Sequence, residues 1–244
     1  MVDAKRLART IESELKQAGT PERAEGEKRY LKSDLDFLGA TLGQIRAVTR
    51  SITKVHELSH GDLVALATEL WSKPLFERRM AAVIVLELHA SELTPDDLGL
   101  IERFIRDSKT WALVDALAGD VVGEIALRHR IKTPLDRWAK DADFWVRRSS
   151  LLAELKPLKK GAAFEPFARR ADAMLDESEF FIRKAIGWVL RETSKKRPDL
   201  VYEWMAPRTD RASGVTMREA VKYLEKKQAE RLMRAYKEGR SAAR

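Results

Sequence analysis

Apolar residues recur along this chain at spacings of three and four. In Phe180-Phe-Ile-Arg-Lys-Ala-Ile-Gly-Trp-Val-Leu190 they gather on one side of a helical period of about 3.6 residues, and no convincing run of period-two alternation appears anywhere. An all-α protein is predicted. Thr20-Pro21, Thr94-Pro95 and Thr133-Pro134 each place a capping hydroxyl before a proline suited to the first helical position, so helices are predicted to start there. Further helices are expected over Ala4–Gln17, Pro21–Lys32, Leu42–Glu57 and Asp62–Trp71.

Aligning the helical segments with one another reveals a repeat. Phe76-Glu-Arg-Arg79, Trp111-Ala-Leu-Val114, Trp145-Val-Arg-Arg148, Phe181-Ile-Arg-Lys184 and Val215-Thr-Met-Arg218 begin 35, 34, 36 and 34 residues apart. A period of this size belongs to stacked helical pairs, somewhat shorter than the HEAT and armadillo units of about 40 to 47 residues. Each unit supplies a helix that opens on an apolar or aromatic anchor and continues as an apolar stripe, and stacking such helices buries a continuous core. The expectation is a HEAT-like α-helical repeat solenoid. It forms a single domain over 1–230, capped by helices at about 4–32, with a basic, frayed tail over 231–244.

Composition narrows the chemistry. Of 244 residues, 34% are charged and 44% hydrophobic, with 12 Gly and 8 Pro, which suits a helical protein better than a disordered one. The absence of cysteine excludes a disulfide framework, a thiolate zinc site and a cysteine nucleophile. His56, His60, His89 and His129 are scattered, and no metal site is expected. The longest apolar run, Met80–Leu86, is far shorter than the ~20 residues that span a bilayer. The first residues carry no apolar core after their charges, so a cytoplasmic protein without membrane partners is expected. A net charge of +8 favours an anionic partner such as nucleic acid or a membrane surface, the alternative being charge for solubility alone.

The arrangement of the charges is more informative than their sum. The fourth position of the repeat holds Arg79, Val114, Arg148, Lys184 and Arg218, and equivalent positions of a solenoid line one surface. A row of cations on a concave face makes a cradle for a phosphodiester backbone; ion pairs that stabilise the repeats are the alternative. Trp111 and Asp115, four residues apart, share one helical face. Trp188 stands where the other helices carry Val83, Ala118 and Leu152. Taken alone, either tryptophan is more often core filling than part of an active site.

Together, Arg29-Tyr-Leu-Lys32 with Phe37-Leu-Gly39, Thr110-Trp-Ala-Leu-Val-Asp115, Phe144-Trp-Val-Arg-Arg148 and Glu179–Glu192 resemble the AlkD family of DNA alkylation-repair glycosylases, in this order from about Tyr30 to Tyr223. The resemblance implies a C-shaped solenoid that holds duplex DNA containing alkylated bases on its concave face. It also implies hydrolysis of the glycosidic bond of N3- or N7-alkylated purines by a monomer, with no cofactor or metal. Family positions carried over residue by residue make Trp111 and Asp115 the active-site aromatic and acid, Trp188 the second tryptophan, Arg148 the phosphate contact and Tyr30 the N-terminal tyrosine. Arg79, Lys184 and Arg218 join the DNA-binding set through the cation row. One departure is Ala112, where many relatives carry Asp. The resemblance implies that the enzyme grips the sugar and backbone around the lesion instead of enclosing the base in a pocket. Two rival readings use the same fold: a non-catalytic DNA-structure-binding protein and a protein-binding HEAT scaffold.

Overall fold

The computed structural model describes residues 2–242. Among these the fold is all-α with no strand, apart from an isolated bridge between Asp36 and Leu75. The chain divides into two compact units, Met1–Ile125 and Ala126–Arg244.

The first unit contains α1 (Ala4–Ala18), α2 (Pro21–Leu31), α3 (Leu42–Lys54), α4 (His60–Trp71), α5 (Phe76–Leu88), α6 (Leu98–Asp107) and α7 (Trp111–Ala116). A π-helical turn over Leu117–Val122 then leads into α8 (Gly123–Arg128), in which the unit ends. Asp3, Thr20, Thr41 and Ser59 each accept a hydrogen bond from a backbone N–H of the helix they precede, satisfying donors that have no intrahelical partner. α5 is the centre of this unit, packed by α1, α3, α4 and α7, and every residue from Phe76 to Leu86 is buried. Three of those are charged. Arg78 meets its burial cost by donating to the Leu70 carbonyl and pairing with Glu12, because a buried charge is tolerated only when paired.

The second unit contains α9 (Lys132–Trp138), α10 (Phe144–Leu152), α11 (Leu155–Lys159), α12 (Glu165–Ala173), α13 (Phe180–Ser194), α14 (Pro198–Met205), α15 (Gly214–Ala220) and α16 (Lys226–Ala242). Here α13 is central, packed by α10, α11, α14 and α15. The anchors recognised in the sequence all open helices: Phe76 and Trp111 are first residues of theirs, and Trp145, Phe181 and Val215 are second.

Two boundaries differ from expectation. α9 starts at Lys132 with Ile131 in the cap position, so Thr133 does not cap it. Pro134 therefore lies within the first turn, where its missing N–H costs no intrahelical bond. The stretch predicted to fray over 231–244 is helical as far as Ala242, within α16; residues 243–244 lie outside the described residues. Packing explains the order: Leu232 is 2% exposed, and the Tyr236 hydroxyl stands within 2.9 Å of where a Cβ on Gly214 would be.

Candidate functional site

The helix that bears Tyr30 is approached by a loop held on a buried carboxylate of α5. Glu77, in the first turn of α5, is fully buried and accepts hydrogen bonds from the N–H groups of Leu38 (2.9 Å) and Gly39 (2.7 Å). Burial pushes its carboxyl above the usual range, and these donors act in the opposite direction. Gly39 has φ +83°, and a Cβ there would stand 2.1 Å from the Thr20 carbonyl oxygen and 2.7 Å from the Ala24 nitrogen, so glycine alone lets this loop lie against the start of α2. Phe37 stacks on Phe76 with centroids 5.1 Å apart. The Phe37–Gly39 segment thus ties the start of α2 to α5. At the end of α2, Tyr30 is left 71% exposed.

Trp111 approaches that tyrosine from the other side. Lys109 turns the chain with φ +57°, a conformation unfavourable for a side chain-bearing residue, and Thr110 then caps α7. The Trp111 ring meets Tyr30 edge-on, with centroids 5.9 Å apart and planes at 80°. Both rings line a cavity of about 290 Å³ together with Glu27, Arg46, Glu87, Ala112 and Asp120. Asp115 lies one turn beyond Trp111 on α7, half-buried and outside the lining of this cavity. The π-helical turn begins two residues later, a local widening of the helix that is frequent at functional sites.

In the second unit, Trp188 and Lys184 share a face of α13 and both are half-buried. Gly187 beside them is where α15 approaches: a Cβ would stand 2.7 Å from Glu219 Cβ and 3.1 Å from Thr216 Cα. Glu219 collects three cations, with Lys184 Nζ at 2.6 Å, Lys222 Nζ at 3.0 Å and Arg191 Nη1 also paired to it. Burial alone would raise its carboxyl, but the hydrogen bonds of the two lysines and the Arg191 charge prevail and hold it at about 2.

The four repeat-position cations have unlike surroundings. Arg79 is 5% exposed, lies over Trp71, and donates to the Lys73 and Asp107 carbonyls and to the Asp107 carboxylate. Arg148 is 3% exposed, lies over Phe181 and donates to its carbonyl. Both join one repeat to the next inside their own unit, the stabilising geometry weighed in the sequence as the alternative to a phosphate contact. Lys184 is tied to Glu219, while Arg218 is exposed on α15.

Sequence reasoning passed over Glu77, Arg46, Glu87 and Glu219. Arg46 donates to both carboxylate oxygens of Glu87 at 3.0 and 2.7 Å, and the pair, with Asp120 nearby, raises the guanidinium's pKa. Apart from Lys222, three residues from Glu219, these partners lie 28 to 41 residues apart. Only helix packing brings them together, so no local spacing marks them; the run of three charges inside the apolar stripe of α5 was the one available signal for Glu77.

Among the described residues no group of three or more His, Asp or Glu is disposed to hold a metal ion, and no helix is long and apolar enough to cross a membrane. No curated protein matches the chain. Among solved structures, a predicted DNA alkylation repair enzyme from Enterococcus faecalis is similar at 25% identity with a TM-score of 0.77, covering 85% of this chain and 97% of that one. AlkD2 from Streptococcus mutans is similar at 18% identity with a TM-score of 0.61, covering 83% and 99%. The smu.31 protein of Streptococcus mutans UA159 is similar at 18% identity with a TM-score of 0.59, covering 86% and 100%. At these lower identities the likeness concerns the fold. The family model described as DNA alkylation repair enzyme matches residues 11–224, nearly the whole helical array, and the chain belongs to that family.

Proposed function

We propose that this protein is a monofunctional DNA glycosylase that excises cationic N3- and N7-alkylated purines from duplex DNA without enclosing the base in a pocket. The observation that carries the reading is the Trp111 ring held edge-on by Tyr30, with Asp115 one turn further along the same helix. An N3- or N7-alkylated purine is already cationic, so it departs as a neutral base with the electrons of the C1′–N bond and needs no general acid. Positive charge then develops on the deoxyribose. The Asp115 carboxylate stabilises that charge and orients the water whose oxygen bonds to C1′ while its proton is released. The Trp111 and Trp188 rings add cation–π attraction of about 0.5 to 2 kcal/mol per contact.

The DNA backbone is assigned to Tyr30, Lys184 and Arg218. The resemblance gave Arg148 a phosphate directly; its burial and its bond to the Phe181 carbonyl support assigning it instead to positioning the start of α13, the helix bearing Lys184 and Trp188. Arg79 is assigned the same kind of role on α5. Lys184 is not proposed as a nucleophile for strand cleavage, because its ammonium is ion-paired with Glu219.

The test is release of free base from duplex DNA carrying N7-methylguanine, with an unmodified duplex as control. Release from the lesion duplex alone is expected. Binding without release from any cationic adduct would move the assignment to a non-catalytic DNA-structure-binding protein.

A further inference from the structure

The cation row predicted from the repeats turns inward at Arg79, yet the first unit carries another row that faces outward. α3 reads Leu-Gly-Gln-Ile-Arg-Ala-Val-Thr-Arg-Ser-Ile-Thr-Lys and contains no acidic residue. Its Ile45, Thr49 and Thr53 are buried. On its other side, Arg46, Arg50 and Lys54 follow one another at four-residue steps, and Gly43, Ala47 and Ser51 run beside them at the same step. These six residues line a shallow groove of about 490 Å³.

Two of the three charges of this groove, Arg50 and Lys54, lack the partners that several other surface arginines have. Arg169, Arg208 and Arg211 each meet a carboxylate. Among the described residues, no ion pair joins Arg50 or Lys54 to an acid, and both are exposed. Arg46 is braced from behind by Glu87 and keeps 37% of its side chain exposed. Two uncompensated cations and one braced guanidinium therefore face solvent along one helix.

From this geometry we infer that the outer face of α3 is a docking surface for a phosphodiester backbone, with Arg50 and Lys54 as phosphate contacts and Arg46 as a pre-oriented third. At about 1.5 Å rise per residue the row spans about 12 Å. One strand of B-form DNA advances about 3.4 Å along its axis per phosphate, so the row spans about three to four such rises. The small residues let the backbone approach the helix closely. A groove whose other lining is Gly43, Ala47 and Ser51 offers no apolar pocket for a peptide side chain or an acyl chain, which favours nucleic acid over an acidic peptide or a lipid surface.

This inference rests on the DNA-binding reading and is tested so that the two can fail separately. Binding of an unmodified duplex is measured across a salt series for the wild type, for Arg50→Ala/Lys54→Ala and for Ala47→Glu, with thermal melts to verify folding. Wild-type affinity should fall steeply with salt. The double variant should lose about 1.8 from the magnitude of the log–log slope, at roughly 0.9 per phosphate contact. Ala47→Glu, which places a carboxylate in the groove at an exposed position, should weaken affinity on its own. If the wild type binds with strong salt dependence and both variants match it, the α3 surface is overturned while the DNA reading stands. If the wild type shows no salt-dependent duplex affinity, both fall together. Salt-dependent binding to anionic vesicles, lost in the double variant and without any matching change in duplex affinity, would also overturn it.

Discussion

The Trp111 indole is braced by Tyr30 edge-on at 5.9 Å, so an exposed side chain on α2 fixes the orientation of a half-buried ring on α7. An edge-to-face pair of this kind contributes about 0.5 to 1.5 kcal/mol beyond its area burial. Tyr30→Ala should therefore slow single-turnover excision of N7-methylguanine at saturating enzyme about twofold to tenfold, whereas Tyr30→Phe keeps the ring contact and should hold that rate, with any loss confined to duplex affinity through the missing hydroxyl. Excision by Tyr30→Ala at the wild-type rate would show that the contact does not orient the indole for chemistry.

Asp115→Asn separates charge from shape at the proposed catalytic carboxylate. The substitution preserves side-chain size and removes the negative charge that opposes the developing sugar cation. Loss of one preorganised electrostatic stabiliser typically costs on the order of a hundredfold to a thousandfold in rate. Duplex affinity should survive and excision should fall by that amount, with Trp111→Ala losing less. Single-turnover base release, paired with a binding titration and a thermal melt, decides the matter; unchanged release by Asp115→Asn removes the carboxylate from the mechanism.

The helical pattern was legible in the sequence because it is local. The Phe76, Trp111, Trp145, Phe181 and Val215 anchors recur at a near-constant period, and the structure places each within the first two residues of a helix. Tyr30 and Trp111 were each legible as site candidates, but their edge-on contact was not. The direction taken by each repeat-position cation was not legible: Arg79 and Lys184 occupy the same place in the repeat, but one meets Asp107 and backbone carbonyls and the other meets Glu219. What receives a cation depends on the following helix, which a spacing rule does not encode. For the same reason the helix at α3 was legible but its cationic face was not, since Arg46, Arg50 and Lys54 fall outside the aligned anchors.

Glu219 gives the second unit a signature in acid. Its carboxyl is held at about 2 in the folded protein against an ordinary value of 4.5. A depressed acid binds fewer protons in the folded chain than in the unfolded one between those two values, so stability rises with pH across that window. The contribution is present above about pH 4.5 and is lost as pH falls toward 2. Its size is on the order of 3 kcal/mol, from about 1.4 kcal/mol per unit. Melting temperature measured from pH 2 to 6 should climb less steeply for Glu219→Gln than for the wild type, and the variant should be less stable near pH 6 because Lys184, Arg191 and Lys222 lose their shared partner. Parallel curves for the two proteins would remove Glu219 from the acid transition.

Two glycine substitutions make opposite predictions from local geometry. Gly26 lies inside α2 with no atom within 4 Å of an added Cβ, so Gly26→Ala should remove backbone freedom from the unfolded chain without a clash. The gain is about 0.4 to 1 kcal/mol. Gly187 lies inside α13, where the same methyl would stand 2.7 Å from Glu219 Cβ and 3.1 Å from Thr216 Cα. Part of that obstruction is backbone and cannot rotate aside, so α15 must move away from α13. Overpacking of this kind typically costs about 1 to 3 kcal/mol, which outweighs the helix-propensity gain of about 1 kcal/mol in the upper part of the range. A kcal/mol corresponds to about 2 to 4 °C in a chain of this length, so Gly26→Ala should melt a few degrees higher and Gly187→Ala lower. Moving α15 also shifts Glu219 relative to Lys184 and Trp188, and excision by Gly187→Ala should fall even at temperatures where the variant is fully folded. A Gly187→Ala protein that melts above the wild type and excises normally would mean that the two helices do not need their close approach.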